Sequence, residues 1–248
     1  MPLSIVIPVL DEAGQIEECV GQLGWADEVI VADGGSRDDT VALARSAGAT
    51  VLEGTGPTIA AQRNAAIATA RNQWVFALDA DERIPDALRG ELDASVREPR
   101  YHAYKVRRQN FYLGRELTRG RWGRDWVTRL FTRDRRYIER RVHEGLEVVP
   151  ELGALSAPLI HIPYRDLGHQ VEKINRYARW GAEDLFDTGA RASLWDLTGH
   201  PLGRFLRAYL LHGGCLDGRP GLVTSVLGGY TCFLKYAHLW ALERRDGP

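Results

Sequence analysis

The stretch Trp74–Val75–Phe76–Ala77–Leu78–Asp79–Ala80–Asp81–Glu82 decides how this chain is read. An apolar run with strand character stops abruptly at carboxylates. Side chains on an extended chain alternate faces, so Asp79 and Asp81 are predicted to point one way and Ala80 the other. Two carboxylates at the carboxyl end of a strand suit a hard divalent cation whose other ligands are water and phosphate oxygens. In open α/β sheets that edge is also where ligands bind. The plain alternative is a solvated turn after a buried strand, and the neighbouring sequence decides between the two.

Working outward, strand and helix signals alternate through the first hundred residues. Strands are predicted at Leu3–Pro8, Glu28–Asp33, Thr50–Glu53 and Gln73–Leu78, and helices at 15–23, Thr40–Ala47, Ile59–Ala70 and Pro85–Val96. That alternation predicts an α/β fold, a mainly parallel sheet with helices on both faces. The first strand ends in Asp11–Glu12. The second ends in Asp33–Gly34–Gly35–Ser36, followed by Asp38–Asp39–Thr40. Both carry acids to the edge that holds Asp79 and Asp81. Helix capping is the ordinary role for Asp38 and Asp39. The glycine fingerprint of dinucleotide-binding proteins is missing after the first strand, which argues against a dehydrogenase.

The 248 residues suffice for a full core, and 44% hydrophobic with 26% charged content is ordinary for a globular protein. A net charge of −1 offers no global attraction to nucleic acid. The three cysteines have no metal or redox spacing and are expected to be reduced thiols. Met1–Pro2 leads straight into the first strand with no basic leader, so a cytoplasmic location is expected.

After residue 100 the character shifts. Arginines crowd Lys105–Glu144, interleaved with Trp122 and Trp126, a mixture suited to phosphates and sugar rings. Leu130–Thr132 and Val142–Leu146 are candidate strands, and Val149–Ile162, with two prolines, reads as a connector. Helical periodicity returns from Gln170. Pro201 is expected to open a second apolar helix, Gly213–Gly221 to break it, and a last helix to follow. Gly221–Leu242 is long enough to raise the question of a membrane span, but Lys235 and His238 interrupt it. It suits a helix packed on protein or lying at a membrane surface.

Four ordered motifs together resemble glycosyltransferase family 2: Pro8-x-x-Asp11–Glu12, Asp33–Gly34–Gly35–Ser36-x-Asp38-x-Thr40, Arg63–Asn64 and Leu78–Asp79–Ala80–Asp81–Glu82. The remainder is similar to the bacterial lipopolysaccharide core β-1,4-glucosyltransferase branch. The resemblance implies the Rossmann-like GT-A fold with a C-terminal helical extension. Residues 1–165 would form the catalytic domain, with 1–100 as donor half and 101–165 as acceptor half. Residues 166–248 would form a helical region on that domain or on a membrane surface.

It also implies an inverting, metal-dependent hexosyltransferase using a nucleotide-diphosphate sugar, with glucose from UDP-glucose and a lipopolysaccharide inner-core sugar as the expected pair. Pro8, Val9 and Glu12 would border the nucleoside, Asp33 would meet the base, and Arg63 and Asn64 would lie near the nucleotide. Asp79 would bind ribose and share the Mg²⁺ or Mn²⁺ ion that Asp81 ligates, with His143 as a further candidate ligand. Glu144 is the first candidate for the general base that takes the acceptor proton, and Asp125 the second. Trp122, Trp126 and Arg124 would meet the acceptor. Two departures stand out: Asp11 replaces a usual asparagine, and Gly34 replaces an aspartate found in many members.

The expected partners are the sugar donor, a glycolipid acceptor and the inner face of the cytoplasmic membrane, with no nucleic acid. Another cell-envelope glycan or lipid acceptor is the alternative. A nucleotidyltransferase fits less well, because Asp11–Glu12–Ala13–Gly14 is acidic and lacks a lysine to hold triphosphate. A non-catalytic nucleotide- or RNA-binding module would rest on the Arg/Trp stretch alone.

Overall fold

β1 (Leu3–Val9) is buried at all seven positions, as expected of a strand flanked on both sides and covered on both faces. In the computed structural model, which describes residues 2–119, 122–138, 145–147 and 150–245, β1 pairs in parallel with β2 (Glu28–Asp33) and β4 (Trp74–Ala77). β3 (Thr50–Leu52) adds to β2, also in parallel. The pleat divides the core. Leu3, Ile5, Ile7, Trp74 and Phe76 face one side, where they meet α1 (Ile16–Gly21), α2 (Thr40–Ser46) and α4 (Asp86–Arg97). Val6, Val75 and Ala77 face the other side and α3 (Ile59–Thr69), whose N-terminus is capped by Thr58. Helices therefore cover both faces, as the alternating pattern predicts.

Beyond β4 the sheet becomes mixed. β5 is Glu82–Arg83 and β6 is Ala103–Tyr112, with β7 (Arg115–Glu116) closing a hairpin on the end of β6. β8 (Trp126–Thr132) runs antiparallel to both β4 and β6, and the strand order is β3-β2-β1-β4-β8-β6-β10-β5. β6 was hidden in the arginine-rich stretch because cations occupy its half-exposed face and a register shift at Tyr104/Lys105 breaks its alternation. The expected connector is corrected too. It contains β9 (Gly153–Ala154) and β10 (Leu159–His161), and β10 pairs antiparallel with β5.

The chain divides into two compact units, Met1–Arg108 with Trp126–His161, and Gln109–Asp125 with Ile162–Pro248. The second unit is built on α5 (Leu167–Asp187), α6 (Leu194–Leu206) and α7 (Gly218–Arg245). α5 is capped by Asp166, and α6 by a Ser193/Asp196 capping box. Pro201 lies inside α6 rather than opening it, because the capping box sets the start earlier. The break after α6 is a π-helical turn at Arg207–Leu211 and a left-handed Gly213 (φ 76°), and helix resumes at Gly218. The Tyr112 hydroxyl donates to Gln170 Oε1 at 2.7 Å, and Asp217 accepts from Thr118 Oγ1 and Arg119 N, which ties the hairpin segment to the helices within this unit.

Candidate active site at the carboxyl edge of the sheet

The loops leaving β1 and β2 are laced together by side chains. Asp11 N donates to Ser36 Oγ (2.9 Å), Arg37 N to Asp11 Oδ1 (2.8 Å), Glu12 N to Thr40 Oγ1 (2.8 Å) and Ala13 N to Asp38 Oδ2 (3.1 Å). Asp11 adopts φ 58°, the left-handed region that asparagine and aspartate enter more readily than other side chains. The swap from asparagine to aspartate is therefore local and permitted. Asp39, the residue before α2, makes no side-chain cap bond, whereas Asp38 accepts from Thr40 N at the start of α2 (3.1 Å) and also cross-links the two loops through Ala13 N. Asp33 is buried and organises its own loop, accepting from Gly35 N at 2.9 Å and from Ser36 N at 3.1 Å.

Gly34 has a steric cause. A Cβ there would lie 2.1 Å from Gln62 Nε2 and 3.2 Å from Gly56 O. Gln62 is 2% exposed and donates to Gly56 O at 3.2 Å, so its amide fills the space that an aspartate at this position would take.

At the end of β4 the extended alternation gives way to a turn. Glu82 N donates to Asp79 O at 3.0 Å, and Asp79 N donates back to Glu82 Oε2 at 2.9 Å. The two aspartates therefore acquire different partners. Asp79 accepts from Arg63 on one oxygen, at 2.5 Å, and from Arg129 of β8 on the other. Arg129 also donates to Glu82 Oε1 at 2.6 Å, and Arg108 Nη1 stands 3.5 Å from the same oxygen. Asp81 faces His161 of β10, with Nε2 to Oδ1 at 3.5 Å, and both residues are buried. β10 reaches this position because His161 pairs in register with Glu82.

The electrostatics follow from the geometry. Burial raises the Asp79 carboxyl, but the Arg129 and Arg63 guanidiniums outweigh it and hold the group well below the usual carboxylate range. Burial pushes Glu82 up, against the pull of Arg129. Arg129 stays charged because Asp79 and Glu82 overcome its own desolvation. Beneath the turn, Cys19 is buried with Sγ 3.7 Å from Asp79 O, and burial pushes its thiol up to about 12. It is an inert packing residue.

Pro8 and Val9 are buried in β1, with Val9 paired opposite Asp33. Asn64 grips the backbone of Tyr137, donating from Nδ2 to its carbonyl (2.9 Å) and accepting its N–H at Oδ1 (2.8 Å). That grip sets the Tyr137 ring 4.7 Å from the Arg63 guanidinium carbon. In the first unit Trp126 is exposed, with the Lys105 ammonium 5.1 Å from its ring centre. In the second unit Trp122 O accepts from Asn110 Nδ2 at 2.6 Å, Asp125 Oδ2 lies 3.5 Å from the same nitrogen, and Arg124 is exposed. His143 and Glu144 lie outside the described residues.

The sequence motifs do not disclose Glu82 as a side-chain ligand of the turn, nor Gln62, Tyr137 and His161, and Arg129 is visible only as one member of the arginine-rich stretch. Two signals were available. Arg129 interrupts an apolar strand, and His161 sits inside Leu159–Ile160–His161–Ile162; a polar group in such a run needs a buried partner.

Among the described residues no group of three or more His, Cys, Asp and Glu side chains is arranged to hold a metal. The Asp81–His161 pair nevertheless fits a divalent ion of the kind the family uses. A carboxylate and an imidazole are suitable donors for manganese, and such sites commonly complete their shell with substrate phosphates and water.

A parallel α/β sheet with carboxylates and arginines gathered at one edge, extended by antiparallel strands, is the architecture expected of the GT-A fold. The sequence model described as "Glycosyl transferase family 2" matches residues 4–148, and the chain belongs to that family. It is 28% identical to the "Lipopolysaccharide core biosynthesis glycosyltransferase LpsC" of Rhizobium meliloti (strain 1021), over 97% of this chain and 92% of that one. It is 26% identical to "Uncharacterized glycosyltransferase RT0209" of Rickettsia typhi (strain ATCC VR-144 / Wilmington), over 98% of this chain and 88% of that one. Among solved structures, S. aureus TarS 1-349 in complex with UDP-GlcNAc aligns with a TM-score of 0.52 and 14% identity, covering 99% of this chain and 92% of that chain, a likeness of fold.

Proposed function

We propose that this glycosyltransferase is a metal-dependent, inverting hexosyltransferase that moves glucose from UDP-glucose to an inner-core sugar of lipopolysaccharide. The observation that carries the chemistry is the buried Asp81–His161 pair beside the arginine-locked Asp79. The acceptor class is supported by the name of LpsC, to which this chain is similar over nearly its whole length. The donor class is supported by the nucleotide sugar in the TarS complex, whose fold this chain shares.

In this reading Asp81 and His161 would hold a divalent cation, which would supply positive charge for the departing diphosphate. Arg63 and Arg129 fix Asp79 as a charged, rigid acceptor for the ribose hydroxyls. Pro8, Val9 and Glu12 border the nucleoside, Asp33 meets the base, and Asn64 acts through Tyr137. The exposed Trp126 receives the acceptor. Its hydroxyl oxygen attacks the anomeric carbon as the bond to the diphosphate oxygen breaks. The electron pair leaves with the diphosphate, and the proton passes to Glu144.

A thermal-shift panel of UDP, GDP, CMP and dTDP sugars with Mn²⁺ tests the donor, because selective binding raises the melting temperature. UDP-glucose should give the largest shift, and Asp81→Asn should remove it. Full metal-dependent transfer by a purified Asp81→Ala enzyme would sink the mechanism.

A further inference from the structure

The helical unit contains a hairpin turned inside out. Where α6 and its π-helical turn meet α7, the buried face of α7 is made of small residues: Gly221, Ser225 and Gly229, spaced four apart. They allow backbones to touch. A Cβ at Gly221 would fall 1.8 Å from Gly214 O, and one at Gly229 3.0 Å from Pro201 O. Ser225 returns its own hydroxyl to Gly221 O at 2.6 Å, so the contact leaves no polar group open. The large apolar side chains are on the outside. Leu211 at the bend is 80% exposed and Leu216 is 71% exposed, with Leu210, Leu222 and Val226 continuing the surface along both arms.

Water does not favour this arrangement, since an amphipathic helix normally buries its large side chains and exposes small or polar ones. Small residues inside and large apolar ones outside are the packing of helices whose surroundings are hydrocarbon. No described helix is long and apolar enough to cross a membrane, so a hairpin of this kind would enter one leaflet. The charges name the surface. Between Leu197 and Leu234 stand Arg204, Arg207 and Arg219, all exposed, against one acid, Asp217. That acid is taken up by Thr118 and Arg119. Arg207 and Arg219 flank the leucine-bearing bend in sequence, one before it and one after it.

We infer that the bend between α6 and α7 is a monotopic anchor for an anionic phospholipid bilayer: Leu210, Leu211 and Leu216 enter the acyl boundary, and Arg207 and Arg219 pair with headgroup phosphates. The inference does not depend on the transferase reading. The full chain should co-sediment with vesicles of phosphatidylcholine mixed with phosphatidylglycerol about tenfold or more better than with phosphatidylcholine alone, and lose that preference at high salt. Leu211→Glu with Leu216→Glu should abolish binding to both vesicles, and Arg207→Glu with Arg219→Glu should remove only the preference for anionic lipid. All four positions are solvent-exposed, and unchanged circular dichroism melting would confirm that each variant folds.

These vesicles carry no glycan, so capture at the acceptor site cannot imitate the result. Absence of vesicle binding by the native chain overturns the inference, as does equal binding by the leucine variant. So does a native dimer in light scattering that Leu211→Glu dissociates while vesicles capture nothing, because a second copy would then be the occupant.

Discussion

The two units solve opposite problems at their centres. In the first, charged groups are taken inside. Arg129 is 4% exposed and Glu82 fully buried, and they sit with Asp79 and Arg63 under the loops of the sheet edge. In the second, the contact between α6 and α7 has glycine and serine inside and leucines outside, although Ile174, Ala178 and Leu239 are buried elsewhere in the unit. The first invests stability in holding a polar site rigid, since buried ion pairs recover their desolvation only when every partner is present. The second gives up burial of its largest side chains to bring two helix backbones together. Fold-determining positions therefore differ in kind: a charge in one unit, the lack of a side chain in the other.

The largest effect should come from breaking the buried charge set. Arg129→Met leaves Asp79 and Glu82 desolvated without their shared guanidinium, and unfolding in urea should show a loss of about 3–5 kcal/mol. Adding Glu82→Gln should restore part of it; two additive losses would mean that the residues do not act as a unit.

In the helical unit the contrast can be sharpened at adjacent positions. Gly221→Val forces a side chain into Gly214 O and should cost about 1–3 kcal/mol. The neighbouring exposed Leu222→Gln should change stability by less than about 0.5 kcal/mol, although it removes the larger apolar group. Equal effects in denaturant melts would end the inside-out description.

Backbone strain offers a smaller test in the first unit. At Asp11, with φ 58°, a β-branched valine should cost about 1–2 kcal/mol while asparagine should be close to neutral.

The smallest expected effect is on pH dependence. Asp79 is held below the ordinary carboxylate range, so its contribution is complete above about pH 4 and is lost as pH falls through its folded value. Glu82 is shifted the other way, so its term weakens the fold as pH rises through its own folded value. Melting temperatures from neutral to acid pH should fall less steeply in Asp79→Asn than in the native chain. Only a modest difference is expected, because the side chain is 24% exposed and its pairing is partly screened. Parallel curves would remove Asp79 from the account.

The first hundred residues of the fold were legible because their signals are local. Buried β1 is continuously apolar, α3 has a Thr58 cap, and each strand ends in residues that could only be loops or ligands. The mixed part was legible only in the expected strand Leu130–Thr132, which is the end of β8; the rest of β8 and all of β6 are defined by pairing across the chain, and their cations mask the period-two pattern. In the site, Asp79 and Asp81 could be found from their motif. Their separation into an arginine-locked group and a histidine-facing group depends on β8 and β10, which arrive from roughly fifty and eighty residues away in sequence. The reversal in α7 was concealed for another reason. Apolar periodicity tells which residues share a helical stripe and says nothing of whether that stripe is turned in or out.

The glutamine packed against Gly34 limits the routes by which this sequence can change. A side chain at position 34 cannot be accommodated until the Gln62 amide gives up its bond to Gly56 O. The two positions are therefore coupled: a larger residue at 34 displaces the end of the Gln62 side chain, and a smaller residue at 62 removes that conflict.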